Sequence, residues 1–407
     1  MSTSTALVAT QPRLSDRLLQ MAESSTLAMA RMARELSAEG HDVIALSLGE
    51  PDFDTPEFIK EAAKQALDDG YTKYTPVNGL PELRQAISRK FSRENGLDYS
   101  PDQIVVSNGA KQSIANLCLS LLNPGDEAIV LAPDWVSYYA QIQLAGGVGV
   151  ALRADVDTDY KVTPERLRDA LNERTRFVLF SSPCNPTGSV YHRSELEAFA
   201  EVLADWPDVI VISDEIYEYI QYGRDHVSFA SLPGMKERTA TVNGFAKGFA
   251  MTGWRLGYIG APAWLAAACT KVQGQITSGA NAFAQKAGAV ALDADRSATI
   301  AMRQAFQQRR DMVIELLNDI QGFRTNMPEG AFYAFPDVSA LFGKRSGDTV
   351  IEDADALAMY LLQKAHVATV SGSGFGNDNC IRISFAASEA HLREALRRIK
   401  QAVDQLS

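Results

Sequence analysis

The stretch Val209-Ile-Val-Ile-Ser-Asp-Glu-Ile-Tyr217 places four apolar, β-branched residues directly before a serine and two carboxylates. A short continuous apolar run of this kind is typical of a strand buried on both faces, as in a parallel sheet. Ligands of open α/β sheets bind outside the carboxyl ends of such strands. The stretch therefore predicts an α/β fold with Asp214 at a binding crevice, although the same aspartate also fits a helix cap.

Similar apolar runs surround this stretch and alternate with helical patterns from about residue 104 to residue 260. The predicted strands cover residues 104–106, 127–131, 148–152, 177–180, 209–213, 240–242 and 256–259. Helices are predicted near residues 112–122, 164–171 and 193–203. The alternation indicates one large α/β domain, in which a mostly parallel sheet is flanked by helices.

The two ends of the chain have a different pattern. Residues 14–38 predict one long helix. The last third predicts a helix near residues 298–320, a strand pair at 331–335 and 380–385, and a final helix that Ser388 caps. We expect both ends to form a smaller α+β domain. The predicted division is a large domain at 48–294, a small domain at 14–47 and 295–407, and a flexible tail at 1–13.

Composition and charge favour small-molecule chemistry in a cytoplasmic protein. The 407 residues carry a net charge of -11, without the Lys and Arg clusters by which proteins bind nucleic acid or anionic membranes. No apolar run reaches the roughly 20 residues that cross a bilayer, and residues 1–12 do not resemble a secretory signal. The four cysteines are far apart and the five histidines lack metal-binding spacing, so we expect reduced thiols and no metal site.

A second informative stretch, Asn243-Gly-Phe-Ala-Lys-Gly-Phe-Ala-Met-Thr-Gly-Trp-Arg255, follows the strand predicted at 240–242. Burial of a lysine favours the neutral amine, which condenses with carbonyl compounds to form a Schiff base. Arg255 supplies a fixed positive charge suited to a phosphate. A lysine for an aldehyde and an arginine for a phosphate together describe pyridoxal phosphate. The alternative is that Lys247 is a solvated loop residue.

Other strand ends carry residues suited to the same cofactor. Asn185 lies in the rigid turn Ser182-Pro-Cys-Asn-Pro-Thr-Gly188, and Gly109 precedes a helix whose first amides can hold an anion. Trp135 offers a flat face for an aromatic ring, while Tyr217 can donate to a phenolic oxygen. Each local pattern also fits an ordinary loop, so the inference depends on their combination.

With these motifs the chain closely resembles the fold type I pyridoxal-phosphate enzymes of the class I/II aminotransferase family, in the branch of bacterial aspartate and related aminotransferases. The resemblance runs from about residue 14 to the C-terminal helix. Beyond the segments quoted above, it depends on Gly49-Glu-Pro-Asp-Phe-Asp-Thr-Pro56, Tyr74-Thr-Pro76, Ser107-Asn-Gly-Ala-Lys-Gln112 and Ile381-Arg-Ile-Ser-Phe385.

The resemblance implies a role for each matching residue. The catalytic residues would be Lys247, which forms the Schiff base and moves the proton, Asp214 at the pyridine nitrogen, and Tyr217 at the phenolic oxygen. The other cofactor-binding residues would be Asn185, Trp135, Gly109, Ala110, Lys111, Arg255 and Tyr74 of the partner subunit. The substrate would contact Gly49, Trp135, Asn185, Lys111 and Arg382, the last gripping the α-carboxylate. The resemblance thus implies a homodimer with shared active sites.

The chain departs from the family pattern close to the predicted cofactor site. Gly244 and Ala246 stand where the family often has hydroxyl residues before the lysine, so phosphate binding must depend more on Arg255, Tyr74 and backbone amides. Asp134 stands where many relatives carry an aromatic residue. We expect a weaker hold on the phosphate.

The resemblance also implies the substrates of a ping-pong transamination. They would be an L-amino acid, aspartate or glutamate, and a 2-oxo acid such as 2-oxoglutarate or oxaloacetate. Residues 272–285 contain no arginine for a distal carboxylate, so we expect Lys111 to bind it. Ala22 occupies a place where prephenate-accepting relatives often carry lysine, which disfavours that substrate.

Several alternatives stay open or are disfavoured at this point. An aromatic or broad substrate range, a β-lyase or a decarboxylase would use the same fold and cofactor. A non-catalytic sensor from a transcription regulator is disfavoured, because the residues before 14 leave no room for a DNA-binding domain. A dinucleotide-binding oxidoreductase is disfavoured because Gly372-Ser-Gly-Phe-Gly376 lacks the required spacing and comes late in the chain.

Overall fold

The structure, a computed structural model, describes residues 14–19, 21, 23 and 25–407. Its strands are, in chain order, β1 (Ile44–Ala45), β2 (Ile104–Ser107), β3 (Glu127–Ala132), β4 (Val148–Arg153), β5 (Thr175–Ser181), β6 (Ile210–Asp214), β7 (Thr239–Gly244), β8 (Gly257–Gly260), β9 (Tyr333–Ala334), β10 (Arg345–Ser346), β11 (Thr349–Val350), β12 (Val367–Ala368), β13 (Val370–Ser371) and β14 (Ile381–Ser384).

The α-helices are α1 (Asp16–Leu19), α2 (Ser25–Ala38), α3 (Glu57–Asp68), α4 (Pro81–Lys90), α5 (Ala110–Leu121), α6 (Ser137–Leu144), α7 (Pro164–Ala170), α8 (Arg193–Ala204), α9 (Ala263–Ile276), α10 (Ala282–Asp293), α11 (Ser297–Asn318), α12 (Ala354–Tyr360) and α13 (Glu389–Val403). Short 3₁₀ helices cover Pro101–Gln103, Val156–Thr158, Phe229–Ser231, Lys236–Arg238, Ser339–Leu341 and Gly372–Phe375, and π-helical turns cover Phe91–Asn95 and Leu361–Ala365. None of the helices in the described ranges combines the length and the apolar character that crossing a bilayer requires.

The largest sheet has seven strands in the order β2-β8-β7-β6-β5-β3-β4. Strands β4, β3, β5, β6 and β7 pair in parallel, whereas β8 runs antiparallel to both of its neighbours, β7 and β2. All seven predicted strands are present, each within two residues of its predicted bounds. The predicted α/β fold with a mostly parallel sheet is therefore confirmed.

Each central strand of this sheet sends neighbouring side chains to opposite faces. On β3, Ala128 and Val130 pack with α5, α6 and α9 on one face. Ile129 and Leu131 pack with α7 and α8 on the other face. Because helices cover both faces, both sets of positions favour apolar side chains, and this explains the continuous apolar runs. Helices α5, α7 and α8 correspond to the three that the sequence predicted in this region.

A second group of elements comes from both ends of the chain. Strands β13, β14 and β9 form an antiparallel sheet, in which Ile383 pairs with Ala334 as the predicted strand pair requires. Strand β1 pairs in parallel with β12, so the N-terminal part joins the C-terminal part. Helix α13 begins where Ser388 Oγ accepts a hydrogen bond from the His391 amide, at 3.3 Å. The contacts support a smaller α+β unit, while its bounds at 47/48 and 294/295 stay a prediction.

The prediction of one helix over residues 14–38 is wrong. The structure has two helices, α1 and α2, and the described residues between them, Met21 and Glu23, are not helical. The run Ser24-Ser-Thr26 interrupts the apolar pattern, and such hydroxyl side chains favour the start of a helix over its interior. The second helix accordingly begins at Ser25. Ala22 and the tail predicted at 1–13 lie outside the described residues.

Candidate active site

Most of the predicted site residues follow strands that end at one edge of the large sheet, whereas Arg382 lies on β14 of the small sheet. Strands β2, β3, β5, β6 and β7 all end at this edge, and the antiparallel strand β8 begins there, two residues after Arg255. Asp214 is the last residue of β6, and Lys247 follows the end of β7 by three residues. Residues that are far apart in the sequence therefore meet in one crevice, as is usual for sheets of this class.

The Lys247 amine lies in a confined position beside two aromatic rings. Its Nζ is 5.6 Å from the ring centroid of Tyr217 and 5.8 Å from that of Phe332, and it donates a hydrogen bond to the Gly49 carbonyl. Burial lowers the pKa of Lys247 to about 8, and the positive charge of Arg382 contributes to this decrease. Near pH 8 much of the amine is neutral, which is the form that attacks a carbonyl carbon.

The Asp214 carboxyl group is buried at the end of β6. Its Oδ2 accepts a hydrogen bond from the Tyr138 hydroxyl at 2.7 Å, and its Oδ1 accepts one from the Ile216 amide at 3.2 Å. Burial raises the pKa of Asp214 to about 6, against the opposing effect of the Tyr138 hydrogen bond. A cationic or proton-bearing partner in the crevice would stabilise the ionised form of this carboxyl group.

The start of α5 forms a narrow backbone cradle. Gly109 has a φ of +84°, and a Cβ at this position would lie 2.6 Å from Arg255 Nη2. A Cβ on Gly257 would lie 2.3 Å from the Ala110 nitrogen. Only glycine permits this backbone conformation and these close approaches. The free N–H groups at the start of α5 attract anions, so the cradle fits a phosphate group.

Two cationic side chains accompany the helix start. Arg255 Nη1 donates to the Thr252 carbonyl at 2.9 Å, and Lys111 Nζ lies 4.8 Å from the ring centroid of Trp135. Burial lowers the pKa of Lys111, and the charge of Arg255 contributes to the decrease. Neither cation forms a salt bridge within the described part of the chain. Two unpaired cations at the start of a helix are suited to a dianionic ligand.

Arg382 is a buried cation without an acidic partner among the described residues. It is 2% exposed, and its Nη1 donates to Asn185 Oδ1 at 2.9 Å while its Nη2 donates to the Ser47 carbonyl at 2.6 Å. The guanidinium lies beside two rings, 4.6 Å from the centroid of Tyr333 and 4.7 Å from that of Phe375. Its Nε has no hydrogen-bond partner. A buried, unpaired charge is costly, and a ligand carboxylate would compensate it.

The remaining predicted residues differ in their placement. The Tyr217 hydroxyl is hydrogen-bonded to the Tyr333 hydroxyl at 2.7 Å, and the Trp135 ring is edge-on to Tyr138 at 5.6 Å between centroids. Tyr74 is 99% exposed, so this chain leaves it outside the buried cluster. The roles assigned to these residues stay predictions.

Asp134 is buried at the end of β3, next to the loop that contains Phe375. Its backbone amide donates to the Phe375 carbonyl at 3.0 Å, and its Oδ2 accepts a hydrogen bond from the Tyr139 hydroxyl at 3.0 Å. Its Oδ1 has no hydrogen-bond partner among the described residues. Burial raises the pKa of Asp134 well above its ordinary value. The carboxyl group thus contacts Tyr139, whereas the backbone amide contacts Phe375, and the buried carboxyl group carries a proton more readily than an exposed aspartate does.

We expect Asp134→Asn to increase the free energy of unfolding by about 1–3 kcal/mol at pH 8, and by less at pH 5. The unfolded carboxyl group ionises near its ordinary pKa, whereas the folded one stays protonated to higher pH. The native state therefore binds more protons between the two pKa values, and its stability falls as the pH rises through this window. Urea denaturation at both pH values measures the free energy of unfolding, with the exposed Asp348→Asn as control. An equal increase for Asp134→Asn at pH 5 and pH 8 would contradict the prediction.

The structure explains one departure from the family pattern. A Cβ on Gly244 would lie 3.0 Å from the Gly257 Cα and from the Leu256 carbonyl oxygen. A serine or threonine at this position would need the neighbouring strand β8 to move. The glycine therefore follows from the close pairing of β7 with β8, while nothing in the structure explains the alanine at position 246.

Several residues of the site were missed by the sequence analysis. Tyr138 donates to Asp214, and Tyr333 and Phe375 enclose Arg382. The predicted strand pair was a usable signal for Tyr333, because it places residues 331–335 beside the strand of Arg382. Tyr138 and Phe375 had no local signal.

One cluster of possible metal ligands also escaped the sequence analysis. Ligand atoms of Glu215, Glu218 and His226 lie within 4.8 Å of one another. However, Glu218 already forms a buried salt bridge with Lys90, and His226 Nε2 lies 2.9 Å from Glu215 Oε2. Because these side chains already have partners within the protein, we interpret the cluster as a buried network of polar contacts.

Comparisons with known proteins give a consistent set of relatives. The family described as "Aminotransferase class I and II" matches residues 41–399. A bifunctional aspartate aminotransferase and glutamate/aspartate-prephenate aminotransferase from Petunia hybrida is 49% identical over 395 residues, which are 96% of this chain and 82% of the relative. The aspartate aminotransferase of Rhizobium meliloti superposes with a TM-score of 0.94 at 43% identity, covering 97% of this chain and 100% of that one. The aspartate aminotransferase of Thermus thermophilus, solved with maleate, gives 0.90 at 42% identity, covering 96% and 100%.

Proposed function

Because the chain belongs to the class I and II aminotransferase family, we propose that this aminotransferase exchanges an amino group between L-aspartate or L-glutamate and a 2-oxo acid, with pyridoxal phosphate as cofactor. The observation that carries the proposal is the pairing, in one crevice, of Arg382 and Lys247. The first is a buried cation that lacks an acid, and the second is an amine with a pKa of about 8. An amino acid has an α-carboxylate that Arg382 can bind, and an α-carbon whose proton the Lys247 amine can accept.

The residues of the crevice fit each chemical group of pyridoxal phosphate. The Lys247 amine suits the aldehyde, and the Asp214 carboxylate suits a protonated pyridine nitrogen. The start of α5, with Gly109 and Arg255, suits the phosphate. When bound, this cofactor supplies an electron sink for breaking the bond between the substrate α-carbon and its hydrogen.

The protein contributes orientation and proton transfer. Lys247 Nζ, once free as a neutral amine, accepts the proton from the substrate α-carbon. The Arg382 guanidinium, oriented by Asn185 and by the Ser47 carbonyl, holds the α-carboxylate with two nitrogens. The negative charge of Asp214 would favour a proton on a pyridine nitrogen bound beside it. The same groups act in reverse order when the oxo acid becomes an amino acid.

Lys111 is our candidate for the distal carboxylate of an acidic substrate. Its Nζ lies over the Trp135 ring, at the edge of the crevice, and it has no acidic partner within the described ranges. A dicarboxylate would then lie between Arg382 and Lys111. The Thermus thermophilus enzyme was solved with maleate, which is also a dicarboxylate, and this supports the proposal.

A broader acceptor range is the second candidate. It is favoured by the Petunia hybrida relative, whose name includes a glutamate/aspartate-prephenate aminotransferase activity. In the sequence analysis, Ala22 disfavoured prephenate as a substrate. This residue lies outside the described residues. A β-lyase that uses the same cofactor would form different products, so product analysis distinguishes it from both candidates.

We propose a homodimer with shared active sites as the active unit. The fully exposed Tyr74 lies between α3 and α4, and these helices and their neighbours expose large apolar side chains. Leu67 on α3, Ile276 on α9 and Val290 on α10 are 46%, 59% and 44% exposed, and a second copy would cover them. We also propose a cytoplasmic location, since all four cysteines are free and buried.

A panel of single half-reactions tests the proposed function. Purified protein loaded with pyridoxal phosphate is mixed with each of several amino acids, without an acceptor. We expect aspartate and glutamate to convert the cofactor to its pyridoxamine form fastest, each with one equivalent of the matching oxo acid. Pyruvate and ammonia from a β-substituted amino acid, without the pyridoxamine form, would favour the β-lyase instead.

In the same panel, we expect Lys111→Ser to reduce the preference for aspartate over alanine by about 10–100-fold, the value of one charge-assisted hydrogen bond. The rate with alanine should change little, because alanine has no distal carboxylate. Lys400→Ser, on the exposed side of α13, is the matched control for the loss of one positive charge. An unchanged preference in Lys111→Ser would remove this lysine from the substrate site.

A further inference from the structure

Tyr333 lies between the two groups that the proposed function uses most directly. It is fully buried on β9, where it pairs with Ser384 of β14, two positions from Arg382. Its ring faces the Arg382 guanidinium and its hydroxyl reaches Tyr217. One side chain therefore contacts both the predicted carboxylate-binding residue and the predicted donor to the cofactor's phenolic oxygen.

The ring of Tyr333 restrains the guanidinium of Arg382. The centroid of the ring is 4.6 Å from the guanidinium carbon, and the centroid of the Phe375 ring is 4.7 Å from the same carbon. The two hydrogen bonds of the guanidinium, to Asn185 and to the Ser47 carbonyl, leave it without an ionic partner. The two rings therefore hold a desolvated cation in place before any ligand carboxylate arrives.

The hydroxyl of Tyr333 determines what the Tyr217 hydroxyl can do. The two oxygens are 2.7 Å apart, and a Cβ on Gly49 would lie 2.5 Å from the Tyr333 hydroxyl oxygen. The backbone of Gly49 thus passes directly beside this pair, and its carbonyl accepts the hydrogen bond from Lys247. If Tyr333 donates its proton to Tyr217, the Tyr217 proton is free to point into the crevice.

Burial keeps both hydroxyls protonated. It raises the pKa of Tyr217 well above its ordinary value, and it also raises the pKa of Tyr333, against the opposing charge of Arg382. The pair therefore holds two protons throughout the pH range of a working enzyme. One of them lies between the oxygens, and the other is available to an acceptor.

We propose that Tyr333 is a positioning residue with two separable effects: its ring holds Arg382 for the substrate carboxylate, and its hydroxyl directs the Tyr217 proton toward the cofactor's phenolic oxygen. The inference rests on the proposed function, because it needs both ligands in this crevice. It makes Tyr333 the direct link between substrate binding and the electronic state of the cofactor.

Two variants of Tyr333 separate these effects. Tyr333→Phe keeps the ring and removes the hydroxyl. We expect the pH midpoint of the visible absorbance of bound pyridoxal phosphate to rise by about half a unit, because neighbouring hydrogen bonds strengthen one another and a weaker donor leaves the phenolic oxygen more basic. The KM for aspartate should stay within about twofold. Tyr333→Leu removes both groups, and the KM for aspartate should also rise by about 10–30-fold.

Phe375→Leu is the matched control, since it removes the other ring from Arg382 and leaves the hydroxyl pair intact. It should raise the KM for aspartate without moving the absorbance midpoint. An unmoved midpoint in Tyr333→Phe, or a midpoint that moves equally in Phe375→Leu, would overturn the proposal. If Tyr333→Leu does not fold, the absorbance midpoint of Tyr333→Phe is the measurement that decides. A wild-type protein that never binds the cofactor would instead refute the proposed function, so the two failures are distinct.

Discussion

Replacing Lys247 by alanine is expected to lower turnover by about 10⁴-fold or more, while the protein keeps its fold. A positioned acid–base group alone contributes up to roughly 10⁴-fold, and this lysine also supplies the amine for the carbonyl. Alanine removes both functions. The half-buried side chain makes one hydrogen bond, to the Gly49 carbonyl, so the structural cost should be small. Stopped-flow half-reactions with aspartate, together with circular dichroism, measure both quantities.

The surface variant Lys400→Ala is the control for this change and should retain wild-type turnover. The pH dependence provides an independent check on the wild-type chain. The pKa of Lys247 is about 8, so its capture of an added aldehyde should accelerate as the pH rises through about 8 and then level off. An ordinary exposed lysine would still accelerate well above that value. Turnover near the wild-type rate in Lys247→Ala would remove this residue from the chemistry.

Asp214→Asn is expected to lower kcat by about 10²–10³-fold, as for the loss of one preorganised electrostatic contact. Asparagine has nearly the same shape and can still accept the hydrogen bond from the Ile216 amide. It has no charge, so it no longer favours a proton on the facing ring nitrogen. Half-reaction rates measured at saturating aspartate isolate this effect from substrate binding.

Tyr138→Phe is the control for Asp214→Asn, because it changes the pKa of the Asp214 carboxyl group without removing the group. Its hydroxyl is the donor that lowers the pKa of the buried carboxyl group, so its removal should raise that pKa above about 6. The phenylalanine variant should consequently lose activity on the acidic side of neutrality and recover it as the pH rises. The asparagine variant has nothing to titrate and should stay slow at every pH. Equal pH profiles in the two variants would contradict the role of the charge.

The sequence analysis was most successful where a local pattern has one physical cause. Residues 209–212 are apolar because helices cover both faces of β6, and the carboxylate two positions later lies at the open edge. The same reasoning located the strand ends that carry Trp135 and Asn185. Gly109 was recognisable because it precedes a helix whose first amides can hold an anion, and the structure adds a positive φ that favours glycine there.

Other features depend on contacts that no local pattern encodes. The Tyr217 and Tyr333 hydroxyls are separated by 116 positions in the chain, and both tyrosines also fit an ordinary apolar core. The prediction of one long helix at residues 14–38 was wrong because it gave more weight to the apolar pattern than to the short run of hydroxyl residues at 24–26. At Gly244 the sequence showed only a missing phosphate contact, and the close packing of β7 and β8 that favours a glycine there had no local signal.

The position of β8 has a consequence for how the protein is made. Among the described residues, strand β2 pairs only with β8 in the sheet, yet β8 leaves the ribosome about 150 residues later in synthesis. Until then β2 has no neighbour, and the turn after it cannot meet the arginine that precedes β8. The nascent chain therefore exposes an unpaired apolar strand while about 150 further residues are translated, the kind of segment that chaperones shield. If the proposed cofactor binds at this edge of the sheet, its loading must wait until β8 has been synthesised.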